Sequence, residues 1–209
     1  SHNVGGSVAG VINVMGSHPV EVNLLGGAFV NNSMTTTGAN LACISATNDG
    51  STVVIGGVKF AGNTDKNGET INALTLSTHN VTLIPTEDTD FQDPIYINNA
   101  YGSYKDVAIR VPEGLTKLKG KLPILLAKEF VGAATISGGT GEGAYALQPS
   151  DMEKVHVVND IDGAYYLEVN ENNTAVFAEV KTNDIVVYLS GNGNDTNDGL
   201  TVKLSLIHI

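Results

Sequence analysis

The sequence predicts an all-β fold: right-handed parallel β-helix coils followed by a small antiparallel β cap. Three observations predict it. Phe29, Phe60 and Phe91 are equally spaced along the chain. Gly26-Gly27 and Gly56-Gly57 repeat at nearly the same interval, each directly after an apolar run, Leu24-Leu25 or Val54-Ile55. Between these marks the apolar residues alternate, as in Val20, Val22 and Leu24, or Val53 and Ile55, which is the strand period. Self-similarity at a fixed period of about 20 to 50 residues is the signature of a solenoid.

The coils can be followed in order. The first runs through Val20, Val22 and Leu24 to Phe29 and Asn31-Asn32-Ser33. The second repeats this through Val53 and Ile55 to Phe60 and Gly62-Asn63-Thr64. In the third, Val81-Thr82-Leu83-Ile84 takes the place of the apolar run, and Pro85-Thr86 replaces the glycine pair before Phe91. Leu74 and Leu76, Ile95 and Ile97, and Val107, Ile109 and Val111 alternate in the same way. A unit of two or three short strands cannot bury its own inward face. Stacking like units gives every inward side chain a like neighbour above and below. The three phenylalanines then form an internal aromatic ladder, and the asparagines at the next corner an amide ladder. The glycine pairs supply the bend or the positive φ. Residues 1–115 are read as terminal coils of the helix.

Pro112-Glu113-Gly114 breaks the pattern, and residues 116–182 are read as a small β cap. It holds strands at Leu122–Ala127 and Ala134–Ser137 and a helical turn at Pro149–Glu153. Three more strands follow, Val155–Asn159, Ala164–Asn170 and Thr174–Val180, joined by hairpin turns at Asp162-Gly163 and Asn172-Asn173. A cap blunts the open strand edges of a repeat array. Residues 183–203 read as the first strand and polar loop of a further β-helix domain. The closing hexapeptide Leu204–Ile209 resembles the translation of a transposase-adapter sequence, CTG TCT CTT ATA CAC ATC. Lys203 is then the last authentic residue, and Ser1, with no Met and no signal peptide, reads as a cut into a longer chain.

Composition narrows the function classes. With 24 Gly, no Trp and only 16% charged residues, the chain is unlike an ordinary mixed α/β enzyme. A net charge of −11 argues against nucleic acid and anionic membrane surfaces as partners, since both attract a basic face. No apolar run approaches the roughly twenty residues a membrane-spanning helix needs. Cys43 is the single cysteine, so no internal disulfide forms, and it reads as a buried small hydrophobe.

The string VVYLSGNGNDTNDGLT, residues 186–201, resembles the opening strand and loop of pectate-lyase-like β-helix domains. GGVKFAGNT (56–64), VPEGLTKLKGKLPILLA (111–127) and GAYYLEVNENNTAVFAEV (163–180) resemble repeat regions of large adhesin-like β-helix proteins of gut bacteria. The resemblance implies export, an extracellular or cell-surface location and a long multi-domain bacterial parent. It supplies no catalytic site. The resembling lyases hold Ca²⁺ on paired aspartates of neighbouring coils. Here the densest acidic group is Glu87, Asp88, Asp90 and Asp93, while the matching offset of an earlier coil offers Lys59 and Phe60. That group therefore reads as a solvated acidic turn.

Other candidates are weighed in the same way. Asp195, Asn197 and Asp198 could hold Ca²⁺, but an EF-hand's twelfth position falls on Leu206, and an Asx-stabilised turn is the plainer reading of the loop. His18 and His79, two coils apart, could share an edge; solvated corner histidines are the plainer reading. Gly138-Gly139-Thr140-Gly141-Glu142-Gly143 lacks the Lys-Ser/Thr of a phosphate loop. Tyr96, Tyr101 and Tyr104 are the best sugar-stacking side chains. The expectation is a non-catalytic structural or adhesion segment that contacts carbohydrate or a host surface protein, with no cofactor beyond the Ca²⁺ reading. The alternative is scaffold of a polysaccharide lyase or glycoside hydrolase acting on uronic-acid polymers.

Overall fold

The structure is a computed structural model that describes residues 4–5, 9–14, 18–46, 51–76, 80–97, 108–126, 134–139, 141–159 and 165–179. The chain falls into two compact units, Ser1–Glu179 and Val180–Ile209. All described residues belong to the first. Residues 183–203 and 204–209 therefore lie outside the described residues.

In chain order the strands are β1 (Val4–Gly5), β2 (Ala9–Val14), β3 (Glu21–Leu24), β4 (Gly27–Val30), β5 (Ser33–Met34) and β6 (Ala42–Ala46). Next come β7 (Thr52–Ile55), β8 (Val58–Ala61), β9 (Asn72–Leu76), β10 (Asn80–Leu83), β11 (Asp90–Phe91) and β12 (Ile95–Ile97). The last are β13 (Ile109–Arg110), β14 (Leu122–Leu126), β15 (Ala134–Ser137), the helical turn α1 (Pro149–Met152), β16 (Val155–Val157), β17 (Tyr165–Val169) and β18 (Thr174–Glu179). Three long parallel ladders run along the molecule, beside a two-stranded parallel pair of β1 with β5. One orders its strands β2-β6-β9-β12-β14-β16, another β4-β8-β11, and the third β3-β7-β10-β13-β15 before closing with β18 and β17. The fold is a β-solenoid, nearly all β, with a mixed sheet at one end.

The register explains why these residues choose this fold. Phe29 pairs with Phe60 and Phe60 with Phe91. The rings stack at centroid distances of 5.0 Å, with interplanar angles of 3° and 15°. That distance is close to the strand spacing of about 4.8 Å, so parallel pairing itself sets the rings face to face. Beside them, Val22, Val53 and Val81 share one column and Leu24, Ile55 and Leu83 another. Val53, Ile55, Val81, Leu83 and Phe60 are fully buried. The repeat is not uniform: the chain takes a clearly longer path from Ile44 to its partner Leu74 than from Leu74 to its partner Ile95. The longer coil carries an excursion bridged at Thr64 and Thr70.

The glycine pair is needed where the chain leaves β7. Gly57 sits at φ +64°, and a Cβ on Gly56 would press against the Ile84 carbonyl of the next coil. Its place in the third coil is taken by Thr86 and Thr89; Thr89 Oγ1 accepts from Gly57 N at 2.9 Å, so a hydroxyl replaces a backbone partner.

Past residue 115 the structure differs from the expected break. β14 pairs in parallel with β12, β15 with β13, and β16 with β14. The stretch read as a cap therefore contributes strands to the same ladders. The coil rhythm is hidden there because the Phe and Gly-Gly marks stop, while inward burial continues at Leu122, Ile124 and Leu126. Nor are β16 and β17 a hairpin: β16 joins one ladder, and β17 pairs antiparallel with β18 in another. The turn expected at Asn172-Asn173 does join β17 to β18, with Asn173 at φ 57°, a conformation asparagine tolerates.

Phe60→Ala removes the middle ring of the stack at a fully buried site. It is expected to lower the unfolding free energy by about 3–5 kcal/mol, read from the shift in a chemical-denaturation midpoint. Phe29→Ala should cost clearly less, because its ring is partly exposed and among the described residues stacks on Phe60 alone.

Candidate functional site

The corner after the phenylalanine column holds the expected amide ladder, and it ends in an acid. Asn32 Nδ2 donates to Asn63 Oδ1 at 2.7 Å, and Asn32 N donates to the same oxygen at 3.0 Å. Asn63 Nδ2 donates in turn to Phe29 O at 2.8 Å and to Asp93 Oδ2. Asn32, Asn63 and Asp93 are all buried. Burial pushes the Asp93 carboxyl above its ordinary 3.8, against hydrogen bonds from Asn63 and Gly62 that hold it down. Of the acidic group read as a solvated turn, Glu87 and Asp88 are exposed, but Asp90 and Asp93 are buried. This corrects that reading. Asp93 follows Asn63 by one coil, so the column spacing in the sequence could have placed it. Asp90 pairs in register with Lys59, whose Nζ lies 3.5 Å from its carboxylate.

Cys43 is fully buried and free, as expected of a small hydrophobe. Burial, and then the charge of Asp93, push its thiol up to about 12. Such a thiol stays protonated and is a poor nucleophile.

A second acid network closes the far end of the solenoid. Asp151, in α1, is fully buried. Its Oδ1 accepts from Leu115 N at 2.7 Å, and its Oδ2 accepts from Tyr145 OH and Gln148 N, both at 2.9 Å. Partial burial, and then this contact with Asp151, raise the Tyr145 phenol. Gly114, at φ +75°, lets the backbone pass: a Cβ there would collide with both Tyr145 and Asp151.

The open space of interest is a lateral groove of about 720 Å³. One wall is the Thr37–Leu41 loop, the other the 64–72 excursion, and the floor is Pro94, Pro123, Leu125 and Val158 on the long ladder. The walls are held by side chains bonded to the backbone. Asn72 Nδ2 donates to Ala39 O and Leu41 O at 2.9 and 3.0 Å, and Thr75 Oγ1 donates to Asn40 O at 3.1 Å. In the excursion, Asp65 Oδ1 accepts from Asn67 N and Glu69 N at 2.7 and 3.0 Å. The groove thus joins an apolar floor to a polar rim of Glu69, Thr70 and Gln92. Sequence reading missed it, because nothing in the spacing says that the 37–41 and 64–72 segments meet.

Of the sugar-stacking candidates, Tyr96 is half-buried on β12, in register with Thr75 and with the floor residue Leu125. Tyr101, Tyr104, Asp195, Asn197 and Asp198 lie outside the described residues, as does His79. Among the described residues no group of three or more His, Cys, Asp or Glu is placed to hold a metal ion. No described helix is long and apolar enough to cross a membrane. Compared with protein-family models, with curated proteins and with solved structures, the chain matches none.

The buried acid and the buried thiol each lead to a measurable expectation. A carboxyl whose folded value is raised stabilises fully below its unfolded value, and that contribution fades as pH rises through the folded one. Asp93→Asn keeps an acceptor for the ladder and removes the buried charge. Its stability relative to the parent should therefore improve from acid toward neutral pH in paired denaturation curves; a difference constant with pH would sink this account. Cys43 should resist a thiol-reactive dye in the native chain and react fully once urea unfolds it.

Proposed function

We propose that the chain is a non-catalytic structural or adhesion segment of a large extracellular bacterial β-helix protein, contacting carbohydrate or a host surface protein along the lateral groove. The supporting observation is where the buried acids are engaged. Asp93 ends the amide ladder, Asp151 ties three donors, Asp65 holds its own turn and Asp90 faces Lys59. Each is committed to the scaffold, and a carboxylate tied to backbone N–H groups is a poor general base for substrate. The groove's mixture of apolar floor and polar rim suits a saccharide ring, which presents C–H faces and hydroxyl edges. Tyr96 beside it, with Tyr101 and Tyr104 following in the chain, offers aromatic stacking. The pectate-lyase-like strings of the sequence support the family and the exported location.

A second reading, scaffold of a polysaccharide lyase or glycoside hydrolase acting on uronic-acid polymers, rests on the same strings. The two readings separate on one experiment with the whole chain. Incubation with polygalacturonate should release no unsaturated or shortened product, while a glycan array should give binding that falls about tenfold, or about 1.4 kcal/mol, in Gln92→Ala and Tyr96→Ala. Tyr101→Ala and Tyr104→Ala serve as parallel variants. Released product would overturn the non-catalytic reading; binding unchanged in every variant would remove the groove from it.

A further inference from the structure

The lateral groove carries charge of one sign. Of the side chains that line it, Asp65 and Glu69 are the ionisable ones, and no Lys, Arg or His is among them. Lys66 stands on the same turn but does not line the groove. The chain as a whole adds to the same sign, with a net charge of −11. An acidic wall over an apolar floor gathers cations and turns anions away.

The two carboxylates are held differently. Asp65 is buried, and its side-chain hydrogen bonds, from Asn67 N and Glu69 N, both fall on Oδ1. Its Oδ2 takes no part in the turn. Glu69 is exposed at the rim and holds the turn through its main chain, where Asp65 N donates to Glu69 O at 2.8 Å. Its carboxylate is therefore not spent on the fold of the excursion.

The floor narrows the class of occupant. A peptide that adds itself to a sheet needs an open strand edge. Strands β12 and β14 have strand partners on both sides. Pro94 and Pro123 have no N–H to offer. Ala73 N already donates to Pro94 O at 2.7 Å, and Val158 N to Ile124 O at 2.8 Å. The floor thus presents apolar surface without free main-chain groups, which suits the C–H face of a sugar ring better than an extended peptide.

We propose that the groove selects amino sugars: a glycan with free amines lies on the floor and sets an ammonium against the Asp65–Glu69 wall. This rests on reading the groove as a carbohydrate site and names the class of glycan it takes. An ammonium has three donors and no acceptor, so carboxylates satisfy it and hydroxyl-rich rims do so less well. Acetylation of the amine removes that charge, and a uronic acid reverses it. The groove therefore discriminates among sugars of the same ring size by charge.

The test is isothermal titration calorimetry of the whole chain with length-matched oligomers of glucosamine, N-acetylglucosamine and galacturonic acid. It is run at about pH 6, below the range in which such amines lose their proton. The glucosamine oligomer should bind about tenfold tighter than the acetylated one, with the preference shrinking as salt is added, and the galacturonate oligomer should give no heat. Glu69→Gln should weaken glucosamine binding about threefold and leave N-acetylglucosamine binding unchanged. Glu87→Gln removes the same charge from an exposed turn outside the groove and should change neither. If Glu69→Gln loses the parent circular dichroism, Thr70→Lys, which sets a cation on the exposed rim, decides by the same loss. Equal losses in Glu69→Gln and Glu87→Gln would mean diffuse attraction of a polycation to an acidic chain, and overturn the proposal. Acetylated and free oligomers binding equally overturn the amine selection and leave the carbohydrate site standing; no binding by any oligomer removes both. Displacement of the glucosamine oligomer by an oligolysine of equal affinity also overturns it, and hands the groove to a basic peptide.

Discussion

Parallel register is the constraint on which this molecule depends. In a parallel ladder each residue lies over its counterpart one coil away at about the strand spacing. A side chain must therefore tolerate, or gain from, a like neighbour at that distance. Aromatic rings do, because they stack; amides do, because each is donor and acceptor at once; branched aliphatics do, because they interlock. Charges do not. The inward columns accordingly hold Phe, Asn, Val, Ile and Leu, and charge appears inside where a column ends or changes partner.

Asp93 illustrates this last point. It terminates the Asn32–Asn63 run by accepting from an amide rather than continuing the chain of amides. Burial first, and then the charge of this carboxyl, raises the Cys43 thiol. Asp151 does a related task at the other end, joining Leu115, Tyr145 and Gln148. Polar side chains in this interior act as staples between coils. The partners in these bonds, Asn63 with Asp93 or Leu115 with Asp151, stand about one coil apart in sequence.

Asparagine also stands in for strand where ladders run out. Asn159 brackets the backbone of Leu126, accepting from its N–H at 3.1 Å and donating to its C=O at 2.9 Å, just beyond the end of β16. Asn173 gathers the loop after β15 by accepting from Leu147 N at 2.8 Å and donating to Tyr145 O at 2.6 Å. Lys154 Nζ donates to the Leu118 carbonyl at 2.8 Å. These side chains let coils of unequal length share one register.

The sequence by itself determined the solenoid, the aromatic column and the amide corner, because a repeat states which residues are neighbours: Phe29, Phe60 and Phe91 at a constant interval leave little freedom once strands pair in parallel. It also carried Asp93, one step further along the same column, although that residue was grouped with its exposed sequence neighbours Glu87 and Asp88. The extent of the ladders beyond residue 115, the parallel placement of β16 and the lateral groove were decided only by the tertiary structure. Loops between strands vary in length without cost to the register, so alternation reveals that Leu122–Leu126 is a strand but not which strand it joins. The groove arises where two such loops, 37–41 and 64–72, are brought together over Pro123 and Leu125. Contacts of that kind are set by coil stacking in space, and no local pattern records them.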